Sequence, residues 1–335
     1  MQVPFGLDPD KGVAAAGFYS PGSHRIVSFE DCLIHPERMS EIVRSVLSNL
    51  REWGLTPYSE KLHAGWLRHL LLRRSESAGK ILAVFVTLDA SFPKKDDWLR
   101  LFQSDFPEVA GLLQNVNPDR TNVILGKKWK KISGEDHLIE EIEGLGPGGG
   151  ALKLKVSAGS FFQVNAFMAA KLYGAVRELL HAGEKTDGTL LDLYSGVGGI
   201  ALACAPAFAR VVGAEESESS VSDASGNAGL NGIVNCEFVH SDAGEFLKKV
   251  PRGAGPPVSA AVLDPPRSGC PGPVLQGLAA LGPKKIVYVS CDPGTLARDA
   301  GILSAKGYRL SSVRPVDLFP QSSHIESVSL LEKAC

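Results

Sequence analysis

The sequence predicts an α/β protein whose second half is a mostly parallel sheet with covering helices, preceded by a smaller α+β domain. From residue 189 onward, strand-like and helix-like segments alternate, the pattern of a parallel sheet with helical crossovers. Glycine is frequent, 36 of 335 residues, as tight strand-to-helix turns require. The first half mixes both periodicities and closes on a glycine-rich stretch, residues 144–150, which reads as a loop or hinge. We place the division there, giving domains of residues 1–155 and 156–335.

In the first domain, residues 24–30 read as a short strand. Residues 37–53 carry Ile42, Val43, Val46, Leu47 and Leu50 at helical spacing. Residues 67–73 and 81–87 are strand-like, 98–106 helical and 122–125 extended. Lys127, Lys128, Trp129, Lys130 and Lys131 form a basic cluster around an aromatic. It reads as a phosphate grip with a stacking ring, or as a solvated charged turn. In the second domain, strands are expected at 189–194, 210–215, 236–241, 259–264, 285–290, 308–316 and 326–331. Too few residues separate the last two for a crossover helix, so the final strand runs antiparallel to its neighbour.

Net charge is −2, so any contact with nucleic acid must use a local basic face. The six cysteines form no C-x-x-C pair and suggest no metal site; free thiols in a reducing cytoplasm are expected. The N-terminus lacks the apolar core of a signal peptide, and no apolar run is long enough for a membrane helix. Cys204, Cys236 and Cys270 read as inert thiols; terminal Cys335 is expected to be mobile.

The first strand of the second domain, Leu190-Leu191-Asp192-Leu193-Tyr194, runs into Ser195-Gly196-Val197-Gly198-Gly199. Glycines allow a sharp turn and close approach of a ligand. The next strand ends at Glu215, where an acid can hold a ribose. Gly196, Gly198 and Ala201 also fit G-x-G-x-x-A, so this loop alone is shared between a nicotinamide dinucleotide and S-adenosylmethionine, and a bare tight turn would carry the same glycines. The fourth strand ends Asp264-Pro265-Pro266-Arg267, a rigid acid-bearing lip at the sheet edge where substrates bind. A dehydrogenase has no obvious use for it, whereas enzymes methylating planar nitrogens or nucleobases do; a plain strand terminator is the bland reading.

Cys291 follows the fifth strand in Ser290-Cys291-Asp292-Pro293 and lies at that edge, in a turn rather than a core. If the last strand runs backwards, Glu326 starts it at the same edge; His324 competes for its role. An exposed glutamate is the plain alternative. A thiolate beside a carboxylate suits methylation of uridine at C5. Addition of sulfur to C6 loads electron density onto C5, and a base must then remove the C5 proton.

Together, Phe161-Phe162-Gln163-Val164-Asn165, residues 192–198, Asp264-Pro265-Pro266-Arg267, Ser290-Cys291-Asp292-Pro293 with Thr295-Leu296-Ala297-Arg298-Asp299, and Phe319-Pro320 followed by His324-Ile325-Glu326 resemble the bacterial RNA 5-methyluridine (uracil-C5) methyltransferase family. The resemblance favours the 23S rRNA branch over the tRNA branch. It implies the Rossmann-like class I S-adenosylmethionine methyltransferase fold, a seven-stranded sheet with the last strand antiparallel. It implies Cys291 as nucleophile and Glu326 as proton acceptor. Gln163, Tyr194, Gly196, Glu215 and Asp264 would contact S-adenosylmethionine, with Asp242 near the adenine. Gln163 would also reach the uracil edge. Gly17-Phe18-Tyr19 and Arg68-His69-Leu70 resemble the family's central domain, the implied RNA-contacting part.

The rRNA branch often carries an N-terminal β-barrel and a four-cysteine iron–sulfur cluster. This chain starts too late for the barrel and the first three cysteines, and Cys32 looks like a fourth ligand left alone. One thiolate cannot hold a cluster, so no iron–sulfur centre is expected. Ser195 stands where a cysteine is common and Asp292 where an asparagine is. The partner implied is RNA, with no membrane, and the chain is expected to act as a monomer. Three alternatives stay open: a tRNA enzyme, an amino-group methyltransferase that needs no cysteine, and a non-catalytic RNA-binding remnant.

Overall fold

The computed structural model describes residues 1–8, 12–163, 165–180, 185–251 and 256–334; Val164 and Cys335 lie outside them. The chain divides into two compact units, Met1–Leu138 and Ile139–Cys335. Among the described residues no helix is long and apolar enough to cross a membrane.

The first unit contains β1 (Gln2–Leu7), β2 (Ala14–Tyr19), β3 (Ile26–Ser28), α1 (Glu37–Glu52), β4 (Leu67–Arg74), β5 (Ile81–Thr87), α2 (Lys95–Asp105), β6 (Val109–Val116) and β7 (Lys128–Gly134). Its strands form one sheet in the order β3-β2-β1-β4-β5-β6-β7. The predicted face of α1 is the buried one, through Ile42, Val43, Val46 and Leu50. It packs on a core that includes Trp66, Phe85, Trp98 and Phe102. Burial of each such side chain contributes about 1.5–3 kcal/mol.

Two local readings resolve here. Residues 122–125, read as extended, lie in a loop outside the strands. The Asn117 amide donates to the carbonyls of Val123 and Ile124, at 2.7 and 2.9 Å, so a side chain satisfies backbone that a neighbouring strand would otherwise pair. The lysine cluster is no turn: Lys128 to Lys131 lie on β7, an edge strand paired with β6. Lysines on such an edge oppose pairing with another chain.

In the second unit, β8 (His137–Ile142) pairs with β9 (Leu152–Ser157) across the glycine-rich stretch. The division expected at 155/156 falls within β9. There follow α3 (Ala166–Leu179), β10 (Thr186–Leu193), α4 (Gly199–Cys204), β11 (Phe208–Glu215), α5 (Glu218–Leu230), β12 (Cys236–His240), α6 (Ala243–Lys249), β13 (Val258–Leu263), α7 (Gly272–Leu281), β14 (Lys285–Ser290), α8 (Pro293–Ser304), β15 (Tyr308–Val316) and β16 (Glu326–Lys333). The seven-stranded sheet runs β12-β11-β10-β13-β14-β16-β15. β10 to β14 are parallel. β16 is antiparallel to both β14 and β15, between which it inserts.

Side chains on a strand alternate between faces, and this sheet is buried on both. Leu190, Val262, Val289 and Val328 pack with α3 and α4. Leu191, Leu263, Tyr288 and Leu331 pack with α6, α7 and α8. Near-continuous apolar strands are the consequence, and this alternation decides which polar residues meet at the sheet edge.

Candidate active site

Four strands deliver polar residues to one face at one edge. On β10, Asp192 follows Leu190 in phase. On β13, Asp264 continues the phase of Ala260 and Val262, and on β14, Cys291 continues that of Val287 and Val289. On β16, Glu326 is in phase with Val328 and Leu330. Ser290 pairs with Ser327, so the antiparallel register sets Cys291 opposite Glu326. Directly opposed residues share a face.

The electrostatics follow from this convergence. Burial, and next the Glu326 charge, push the Cys291 thiol above its ordinary value, while Arg267 pulls it back. Burial raises Glu326 against the opposing influence of Arg267. Burial and the Glu326 charge bring Asp264 up to about 7, against a hydrogen bond from Gln163. His324, the competing base, is exposed and lies within 3.0 Å of the Arg267 guanidinium. Removing a nearby negative charge favours the thiolate, so Glu326→Gln should shift the pH profile of Cys291 alkylation by iodoacetamide to lower pH. Arg267→Leu should shift it to higher pH. Peptide mass spectrometry reads both; shifts of the opposite sign would refute the arrangement.

Beside these groups, the chain after β10 makes a strained turn. Tyr194 has φ 67°, Gly196 φ 53° and Gly198 φ 84°. The backbone N–H groups of Tyr194 and Ser195 both donate to the Ala214 carbonyl, at 2.9 and 3.1 Å. Glu215 accepts the Gly196 N–H at 3.0 Å and the Ser217 N–H at 2.8 Å. A Cβ on Gly198 would lie 2.7 Å from Cζ of Phe238. Gly198→Ala is therefore expected to lower stability by about 1–3 kcal/mol, readable as a fall in the denaturant midpoint; an unchanged midpoint would contradict this packing.

Asp192 is 1% exposed. Its Oδ2 accepts the Ala201 N–H at 3.0 Å, and its Oδ1 finds no partner among the described residues. Burial, then the Asp264 charge, raise it to about 8. A buried carboxylate oxygen without a donor is uncommon and marks where a ligand donor or water belongs. The local field favours a cation. Glu215 and Asp192 take up the N–H groups of Gly196 and Ala201, two of the donors a pyrophosphate would use at this loop.

Gln163, Tyr194, Gly196 and Asp264 line one cleft together with Asp192 and Phe161. Glu215 reaches its wall through Gly196. Asp242 does not line it; its Oδ1 caps α6, accepting the N–H groups of Gly244 and Glu245 at 2.8 and 3.1 Å. Sequence reasoning passed over Asp192 as part of a buried strand. An acid inside an apolar run just before a glycine loop was the available signal. It also missed the support beneath the lip. Asp299, fully buried, accepts the Tyr288 hydroxyl at 2.6 Å and the Cys270 N–H at 2.7 Å. Arg298 donates to the Ser268 carbonyl at 2.8 Å. These bonds tie the segment after Asp264 to α8. Asp292 caps α8 through the Thr295 N–H at 2.8 Å, which orients the turn holding Cys291.

The model of the tRNA (uracil-5-)-methyltransferase family matches residues 106–254 and 256–334. An uncharacterized RNA methyltransferase of Halalkalibacterium halodurans is 38% identical over 331 residues, covering 99% of this chain and 70% of that protein. One from Clostridium acetobutylicum is 36% identical over 334 residues, with the same coverage. Among solved structures, the tRNA (uracil-54, C5)-methyltransferase of Pyrococcus abyssi, in complex with S-adenosyl-L-homocysteine, matches with TM-score 0.76 and 25% identity. The match covers 98% of this chain and 75% of that one. On the family match and the identity to these relatives, the chain belongs to the tRNA (uracil-5-)-methyltransferase family.

Proposed function

We propose that this chain methylates C5 of a uridine in RNA with S-adenosylmethionine, using Cys291 as nucleophile and Glu326 as base. The observation that carries this reading is the β14–β16 register, which faces Cys291 with Glu326 beside Asp264. The cofactor supplies an electrophilic methyl group on a sulfonium centre. The residues fit it: the orphan Oδ1 of Asp192, with Asp264 and Glu215, suits a ligand that carries positive charge. Gln163, Tyr194 and Gly196 complete the wall, and Asp242, near Tyr194 but outside that cleft, would meet the adenine through Oδ2, since its Oδ1 caps α6.

The Cys291 thiolate forms a bond to uracil C6, and the C5–C6 π electrons move onto C5 and O4. After methylation at C5, Glu326 takes the C5 proton, the double bond re-forms and the C6–S bond breaks, returning the thiolate. Reaching Cys291 requires the base to leave its stack. Residues 156–335 perform this chemistry, and residues 1–155 contact RNA, with Lys128, Lys130, Lys131 and Trp129 of β7 meeting phosphates and a base. We place the activity in the cytoplasm and on 23S rRNA, with the chain acting as a monomer. Similarity to the Pyrococcus abyssi enzyme favours a tRNA uridine as the second reading.

Transfer of tritiated methyl from S-adenosylmethionine to purified rRNA and tRNA, with nucleoside analysis, tests the reading. The expected product is 5-methyluridine in rRNA; product in tRNA alone selects the second reading, and a methylated amino group rejects both.

A further inference from the structure

The first unit holds a pocket that takes no part in the chemistry above. Its volume is about 650 Å3, within the range of ligand sites. The lining comes from β1 to β3, the start of β4, residues 58–60 and the loop 121–124.

Arg68 and His69 both line it, although consecutive strand residues ordinarily face opposite sides. The register of β4 on β5 slips between Leu67 and His69. Such a bulge re-aims side chains, and bulges concentrate beside functional sites. Arg68 is 4% exposed. Its guanidinium carbon stands 4.4 Å from the Tyr58 ring centre, and its Nη1 donates to the carbonyls of Asn117 and Asp119 at 2.6 and 2.8 Å. The Nε of Arg68 and the Nδ1 of His69 are buried without a hydrogen-bond partner among the described residues. Burial, then the Arg68 charge, lower His69 to about 4, so its ring is neutral and offers one donor and one acceptor.

The mouth is aromatic. Tyr19, 40% exposed, stacks on His24 with ring centres 5.1 Å apart and planes at 24°. Glu60 holds His24 through a 2.5 Å hydrogen bond to its Nδ1. Arg25 lies beside them.

Stacking rings, hydrogen-bonding groups of both kinds and an arginine at the rim are what an unstacked nucleotide requires. The Glu60 carboxylate in the lining disfavours a bare phosphate. We propose that this pocket binds one unstacked nucleotide of the substrate RNA, distinct from the uridine that meets Cys291. The proposal rests on RNA being the substrate.

The test uses the full chain with 5-fluorouridine-substituted rRNA and S-adenosylmethionine, irradiated at short wavelength, digested and mapped by mass spectrometry. Nucleotide adducts are expected on peptides bearing Tyr19, His24 or Tyr58, and separately on the Cys291 peptide. In parallel, Tyr19→Ala should weaken binding of fluorescein-labelled single-stranded RNA roughly tenfold, as one lost stack does. Tyr19→Phe should retain wild-type affinity, and thermal unfolding of both should match wild type. A Cys291 adduct without any adduct at the pocket, or unchanged affinity in Tyr19→Ala, overturns the pocket and leaves the catalytic reading standing. Pocket adducts without a Cys291 adduct support the pocket and reject the chemistry. Absence of both rejects both.

Discussion

Cys291→Ala should abolish methyl transfer to RNA, lowering the rate by roughly 10^4–10^6-fold, the scale of losing a covalent nucleophile. Without sulfur at C6, uracil C5 has too little electron density to accept a methyl group. The substitution removes a half-exposed side chain from a turn that is oriented by the Asp292 cap and the Ser290 hydroxyl. It should therefore leave the fold intact, and S-adenosylhomocysteine should bind with wild-type affinity by calorimetry. Exchange of the uridine C5 proton, measured by tritium release from labelled RNA, should disappear with activity. A variant that keeps measurable turnover would move the chain to the amino-group chemistry that needs no cysteine.

Glu326→Gln should behave differently. It keeps the shape of the residue opposite Cys291 but cannot take a proton. Loss of a general base costs about 10^2–10^4-fold. Because the block follows methylation, the chain should accumulate as a denaturation-resistant complex with ordinary RNA, its uracil methylated at C5 and still bonded to Cys291. Gel electrophoresis followed by nuclease digestion reads this directly. Loss of activity with no trapped complex would mean that Glu326 acts before the C6–S bond forms. Retained activity would return the role to His324.

How much of this was legible in the sequence depends on what each residue reports locally. Strands β5 and β14 match their expected bounds, because Ile81–Thr87 and Ile286-Val287-Tyr288-Val289 are short β-branched and aromatic runs. The antiparallel β16 followed from chain length alone, since no crossover fits between Val316 and Glu326. That inference placed Cys291 and Glu326 at one edge. Strands β1 and β2 escaped notice: Gln2–Leu7 contains Pro4 and Gly6, and Ala14–Tyr19 opens with three alanines, so propensity hid what pairing enforces. The edge strand β7 was obscured by its lysines. At the site, neither the orphan oxygen of Asp192 nor the buried Asp299 could be inferred, because both depend on contacts between distant segments. Asp242 shows the reverse case, an acid at the expected place whose Oδ1 is occupied in capping a helix.

The most direct test is to incubate the chain with RNA containing 5-fluorouridine and S-adenosylmethionine, then identify the modified peptide. Fluorine at C5 cannot leave as a proton, so the covalent intermediate should persist, with the peptide containing Cys291 carrying methylated 5-fluorouridine. A complex joined through any other residue, or none formed while ordinary RNA is methylated at uridine C5, would contradict the account.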